Sequence, residues 1–591
     1  MNYLQNFLDE LRRRRVIRTT TLYVGAVWLL IGLCDVALPL LGAPDWVFPS
    51  ILWACLIGLP FAAVLSWFFA LAQGGIELDP GNAPLESNRS MWDVVVIGVL
   101  LGGLSVSLYF NWFGTGMAGP SGDEVSLAVL PFRDLSPEQD KAYLSEGIAE
   151  ELLDRLARAG GLRVVSRRSA FALGSEPATT REIAERLNVA HIVEGSVRSV
   201  GDLVRVTVQL IDARADAARW TLTYERPIGD VFALQDQIAA DVSGELRVSF
   251  DGSRNQPRRV DPQAHELLLR ARHLSRQFTP EALARSAGLL EQALDLEPEF
   301  ADAWVTLADV YSTRAGEGFI DAADGIARSR AAAERCLEID PHNARALAGL
   351  GWLAMRFDND LSRAADLLER ALALNPGDAD VLSTAGGLLF RLGRFDAAIL
   401  LAQHTVQLDP LSSFAWSNLG VYRLYSLDPD GAIDAYRKAL ELSPDFVGGH
   451  YAVGAAHLQN GDLDLALESM ERERDDEFRT KGRALVFHAR GDRAAFEQEL
   501  GTLRRTWGDV WPSEVGEVYA YAGAADLAFE WIERDIASGA DGAGWAEAVL
   551  NPHYRNLHAD ERWRALLERL GLAPERLAAI EFRFRSEPRS V

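Results

Sequence analysis

Cysteine, lysine and net positive charge are all scarce in this sequence, and each scarcity argues against a class of function. Three cysteines among 591 residues, Cys34, Cys55 and Cys336, offer no disulfide framework, no metal cluster and no placed nucleophile. The lysines are Lys141, Lys438 and Lys481, and none stands between a glycine and a serine or threonine, so there is no phosphate-binding P-loop. No serine occupies a Gly-x-Ser-x-Gly elbow, and His265-Glu266 is not followed by a second histidine at zinc-protease spacing. GTGMAG, Gly114 to Gly119, matches a dinucleotide fingerprint as letters only: an apolar run precedes it and Pro120 follows, so it reads as a linker. The net charge is -25, with no basic stripe beyond the first twenty residues, which argues against a nucleic-acid partner. The expectation is a protein with no catalytic residues, no cofactor and no metal.

What is present begins with membrane-length apolar runs. Arg12 to Arg15 and Arg18 immediately precede Leu22 to Leu41, a stretch of twenty residues, and Val47 to Ala72 and Met91 to Phe113 follow. A signal peptide would need a small-residue cleavage site after the first run, and two further runs take its place. Five arginines oppose crossing at roughly 3 kcal/mol each at the bilayer centre, so the amino terminus is expected in the cytoplasm. Three spans then put everything after Phe113 outside the cytoplasm, which in a Gram-negative cell is the periplasm. Asp35 and Asp93 are the acidic residues inside these runs. Asp35, the deeper, reads either as a partner for another helix or as a packing or boundary effect.

After the linker the pattern becomes short strands and helices in the order β-α-β-α-β-β-β-α, with a hairpin turning at Gly201-Asp202. The residues Ala128-Val129-Leu130-Pro131-Phe132, Gly147-Ile148, Glu151-Leu152, Val164-Val165-Ser166-Arg167 and Ile192 to Val197 resemble the family typified by the TolB amino-terminal domain and FlgO. The resemblance implies a non-catalytic envelope module. Leader, three spans, this domain and a repeat array form an arrangement similar to a bacterial set, some members of which carry an adenylate cyclase or a winged-helix DNA-binding domain on the cytoplasmic side. Here that side offers about twenty residues and a short loop, too little for either.

From about His265 to Arg474 the chain repeats itself. Prolines ending helical runs fall at Pro298, Pro341, Pro376, Pro410 and Pro444, in steps of 43, 35, 34 and 34 residues. The small residues Ala308, Gly351, Gly386, Gly420 and Gly454 keep the same steps. Two unrelated markers on one irregular ruler resemble the tetratricopeptide repeat family, with Trp416, Leu419, Gly420, Ala432, Tyr436, Ala439 and Pro444 as the best copy. The extra residues around GEGFIDAAD are expected to lengthen a loop. His450 and His457, seven apart, then occupy core aromatic positions of a repeat rather than a metal site.

The expected fold class is therefore multi-domain: three transmembrane helices, a small α/β domain and an all-α tetratricopeptide solenoid. The expected divisions are a leader 1–20, an anchor 21–113, a linker 114–124, an α/β domain 125–250, a repeat array 262–480, and degenerate repeats and capping helices 481–580. Stacked hairpins leave a trough lined by their first helices. The family's trough positions bring Trp352, Arg356, Phe390, Arg391, Leu424, Tyr425 and Tyr451 toward it, and aromatics with arginine are the usual anchors of a peptide-binding surface. The expected function is an inner-membrane scaffold or adaptor for protein or peptide partners in the envelope. The alternatives are a sensor signalling to a separate cytoplasmic effector, or an enzyme of unrecognised type associated with cyclases.

Overall fold

The computed structural model describes residues 69–72, 75–78, 125–137, 141–158, 161–174, 178–201, 203–227, 231–248, 260–539 and 542–584. The chain divides into two units, residues 1–123 and 124–591. In the first, strand β1 (Phe69–Ala72) pairs antiparallel with β2 (Gly75–Leu78), so the last residues of the second apolar run are extended rather than helical. The rest of the three expected spans, with Asp35 and Asp93, lies outside the described residues. Among the described residues no helix is long and apolar enough to cross a membrane.

The second unit opens with a mixed α/β domain. Its strands are β3 (Val125–Val129), β4 (Arg133–Asp134), β5 (Leu162–Val164), β6 (His191–Val200), β7 (Leu203–Asp212) and β8 (Ala217–Pro227). The sheet runs in the order β5-β3-β6-β7-β8, with β4 beside β6. β3 is parallel to both neighbours, and its apolar residues Leu127 to Val129 are buried on both faces as that position demands. Leu127 faces a core with Ile148 and Ile238 of helices α1 (Ala142–Leu156) and α4 (Val231–Glu245). Ala128, on the other face, packs with Leu173 and Leu187 of α2 (Arg167–Gly174) and α3 (Thr180–Leu187). The β6–β7 hairpin turns at Gly201, whose φ of 60° suits glycine. Helix α2 and strand β4 add to the pattern expected above; the two residues of β4 are too short to display a period.

Helical hairpins follow without interruption: α5/α6 (Pro262–Ser275, Pro280–Leu296), α7/α8 (Ala301–Gly316, Ala322–Ile339), α9/α10 (Ala344–Arg356, Leu361–Leu374) and α11/α12 (Ala379–Arg391, Phe395–Leu408). Then come α13/α14 (Ser413–Tyr425, Pro429–Leu442), α15/α16 (Gly449–Asn460, Leu463–Arg472), α17/α18 (Asp476–Arg490, Arg493–Thr506) and α19/α20 (Pro512–Tyr521, Ala525–Ala537). The small residues of the ruler stand where paired helices touch: a Cβ on Gly420 would lie 2.6 Å from the Tyr436 ring, and one on Gly351 2.8 Å from Leu368. The insertion around GEGFIDAAD is mostly helix rather than loop. α7 and α8 have 16 and 18 residues where α9 and α10 have 13 and 14. Asp321 accepts the Asp324 N–H at 2.9 Å and so caps the lengthened α8 directly after a short turn.

The α/β domain is locked to the array by buried charge. The Glu150 carboxylate, 3% exposed, accepts from Arg167 and Arg276 and lies 4.0 Å from Arg272. Burial pushes its pKa up, but these arginines hold it well below the ordinary carboxylate range. Further along, Ser166 and Ser169 donate to the Asp409 carboxylate at 2.6 and 2.5 Å, and the Ser166 N–H donates to the Leu408 carbonyl at 2.6 Å. The domain therefore bridges the first hairpin and the α12–α13 turn.

Glu151, one residue on, behaves oppositely. Burial raises its pKa from 4.5 to about 7, because Arg155 spends its shorter bond, 2.6 Å, on Asp236 and stands 3.5 Å from Glu151. The folded state thus holds an extra proton between about pH 4.5 and 7, so this group's contribution to stability falls as pH rises through that window and is constant above it. Glu151→Gln should flatten a slope worth about 3 kcal/mol across the window, read from chemical unfolding at several pH values. An unchanged slope would contradict the burial argument.

Candidate functional site

Neighbouring first helices touch directly, α9 with α11, α13 with α15, α15 with α17 and α17 with α19, and so form the inner side of the array. Along it Phe390 stacks on Tyr422 at 4.9 Å and meets Tyr425 edge-on at 5.1 Å, and Tyr451 sits 5.4 Å from Phe478. This inner side is not open. The segment after α20 folds back over it as α21 (Gly542–Ala548), a 3-10 turn (Pro552–Leu557), α22 (Glu561–Leu570) and α23 (Pro574–Ala578).

α21 lies against α9 and α11. There the Arg391 Nη2 and Nε donate to Glu547 Oε1 at 2.7 and 3.0 Å, while Nη1 donates to the Met355 carbonyl at 3.1 Å. Trp545 is buried and donates to Asp535 at 3.1 Å, and Tyr554 donates to the Ser513 carbonyl at 3.2 Å. Farther on, Asn359 donates to the Leu570 carbonyl at 3.1 Å, Arg394 donates to that of Ile580, and Leu577 and Phe582 are buried in the core of the middle repeats.

Of the residues expected to line an open groove, Arg356 is exposed, and Trp352, Leu424, Tyr425 and Tyr451 are half-buried. Phe390 and Arg391 are buried, which departs from the expectation for a physical reason: the chain supplies its own carboxylate and apolar cover at this place. Trp352 packs edge-on against Phe357 at 5.4 Å. Tyr451 leads to a second centre. Lys481, 5% exposed, donates to Glu514 and lies 3.4 Å from Glu517, and its Nζ stands 4.6 Å from the centre of the Tyr451 ring. His553 of the 3-10 turn is 2.6 Å from Glu517. Burial works against the charge on Lys481, but Glu514 and Glu517 raise its pKa well above the ordinary value. Glu547 and the Lys481 centre escaped the sequence reading. The one available signal was lysine's scarcity, which makes a lysine inside a helix worth asking about.

His457 is buried, its Nδ1 3.8 Å from Asp462, and His450 is half-buried. Among the described residues no group of histidine, cysteine and acidic side chains is placed to hold a metal ion.

Residues 123–240 match the model of the second domain of HilA/YgeH-like transcriptional regulators, and residues 358–419 and 429–461 match tetratricopeptide repeat models. The chain joins a HilA/YgeH-like second domain to a tetratricopeptide repeat region. It is 31% identical over 192 residues to the "Putative adenylate cyclase 3" of Rhizobium meliloti, covering 32% of this chain and 33% of that one. To the "Transcriptional regulator HilA" of Salmonella typhimurium it is 27% identical over 203 residues, 34% of each chain. The chain spans about a third of the length of these curated relatives. Pseudomonas aeruginosa PilF is a similar solved structure, 21% identical with a TM-score of 0.30, covering 35% of this chain and 92% of that one.

Proposed function

We propose that this protein is a membrane-anchored scaffold in a bacterial signalling or regulatory system, binding protein partners through the inner side of its repeats. The observation that carries the reading is the α9–α11 surface, where aromatics and arginines of successive first helices already hold a polypeptide segment, the chain's own. The anchor is the three apolar runs, with the arginine-rich leader in the cytoplasm of the inner membrane and residues beyond Phe113 in the periplasm. The TolB- and FlgO-like character of residues 125–250 agrees with an envelope setting. The scaffold is assigned no reaction, cofactor or nucleic-acid partner.

A photocrosslinking side chain at Trp352 or Arg356 in intact cells should trap discrete partner proteins, and Arg356→Glu should reduce the yield about tenfold, the scale of an interfacial hot spot. A reporter at Val591 should respond outside the cytoplasm. Failure to trap any partner sinks the scaffold, and a reporter active in the cytosol sinks the orientation.

A second reading is favoured by the rigid junction at Glu150 and by the names of the relatives, a cyclase and a transcriptional regulator: the periplasmic part senses a ligand and signals through the spans to a separate effector. Exchanging the spans for an unrelated anchor abolishes output if the protein is a sensor and leaves it intact if it is a scaffold.

A further inference from the structure

We propose that the carboxyl end of α9 is a docking site for an acidic peptide segment, which takes over Arg391 from Glu547. The inference rests on the scaffold reading and names its partner's chemistry. Arg391 and Glu547 are unequally placed: the guanidinium is 4% exposed and the carboxylate 55% exposed. Glu547 can turn into water by rotating its own side chain, whereas Arg391 is pinned, with Nη1 on the Met355 carbonyl at 3.1 Å. The donor fork therefore stays in position whichever carboxylate it receives, and a planar, fixed guanidinium is the group that best selects a carboxylate.

Taking a carboxylate away from a buried guanidinium is costly. An incoming segment that brings negative charge is therefore favoured over a neutral or basic one. Directly after Met355 come Arg356 and Phe357, both exposed, with the Phe357 ring edge-on to the half-buried Trp352 at 5.4 Å. They offer a second cation and an apolar platform beside the first. The segment that fits carries acidic residues next to a leucine or an aromatic. Tyr554, Leu557 and Trp563, farther along the C-terminal segment, are fully packed core and stay where they are.

The test uses the full-length chain in detergent and a short labelled peptide of glutamates flanked by leucines, with a lysine-for-glutamate control. Glu547→Gln, which keeps the side chain's shape, should tighten binding about tenfold by removing the internal competitor. Arg391→Gln should abolish binding, Arg356→Glu should weaken it about tenfold, and the control should not bind. Arg356 is exposed, so its variant folds and decides the matter if Arg391→Gln does not. Equal affinity for wild type and Glu547→Gln, or binding indifferent to Arg356→Glu, overturns the proposal. In cells, a partner trapped at Trp352 whose yield ignores Glu547→Gln overturns the exchange while leaving the scaffold standing. Capture of a second copy of this chain overturns the choice of a separate partner.

Discussion

Glu150→Ala should lower the unfolding free energy by about 3–5 kcal/mol and split one cooperative transition into two. The size follows from what remains behind. Arg167, Arg272 and Arg276 converge on one buried carboxylate where α1 meets α2 and α5; Arg272, 7% exposed, is the arginine left in a dry setting when it goes, while Arg276 keeps Glu146 and Arg167 reaches water. Removing the shared carboxylate of a buried ion cluster leaves its most buried partner, here Arg272, desolvated and under-compensated, which costs more than the cluster contributes when whole. Gly147 is part of the same contact, since a Cβ there would fall 2.6 Å from Leu269. Calorimetry and chemical unfolding measure the effect. A single transition at the wild-type midpoint would mean that the α/β domain is held by the Ser166, Ser169 and Asp409 contacts instead.

Lys481→Ala should be comparably damaging, again about 3–5 kcal/mol, and its effect should reach beyond its own helix. Glu514 and Glu517 of α19 would face each other without their ammonium, and the Tyr451 and Phe478 rings would lose a cation 4.6 and 5.5 Å from their centres. Because His553 bonds the same Glu517, the loss should also raise hydrogen exchange across the 3-10 turn Pro552–Leu557. Lys481→Met keeps the stem and removes the charge, so it separates packing from electrostatics. If Met restored wild-type stability, the ion cluster would not be what joins the C-terminal segment to α17 and α19.

The repeat architecture was legible because a helix pair can approach only where its residues are small, and Gly351 and Gly420 mark those places at a fixed interval. The sheet was legible through the apolar run at Leu127 to Leu130 and the glycine turn at Gly201. What was not legible depends on contacts distant in sequence. Arg391 and Glu547 stand 156 residues apart, and no local period announces that an arginine at a groove position will be answered within the chain. The GEGFIDAAD stretch misled for a related reason: its glycines suggest a loop, while most of the insertion lengthens the two flanking helices, the second of them capped by Asp321. The C-terminal helices were expected to seal the end of the array, and instead part of them crosses its inner side.

Peptide-resolved hydrogen exchange on the unmodified chain tests this arrangement most directly. If the C-terminal segment fills the trough, amides from Trp545 to Leu570 should exchange as slowly as those of α19 and α20, and the α9–α11 surface should be protected with them. Exchange of that segment within seconds, beside slowly exchanging repeats, would mean that the trough is open and that Arg391 answers to no carboxylate of its own chain.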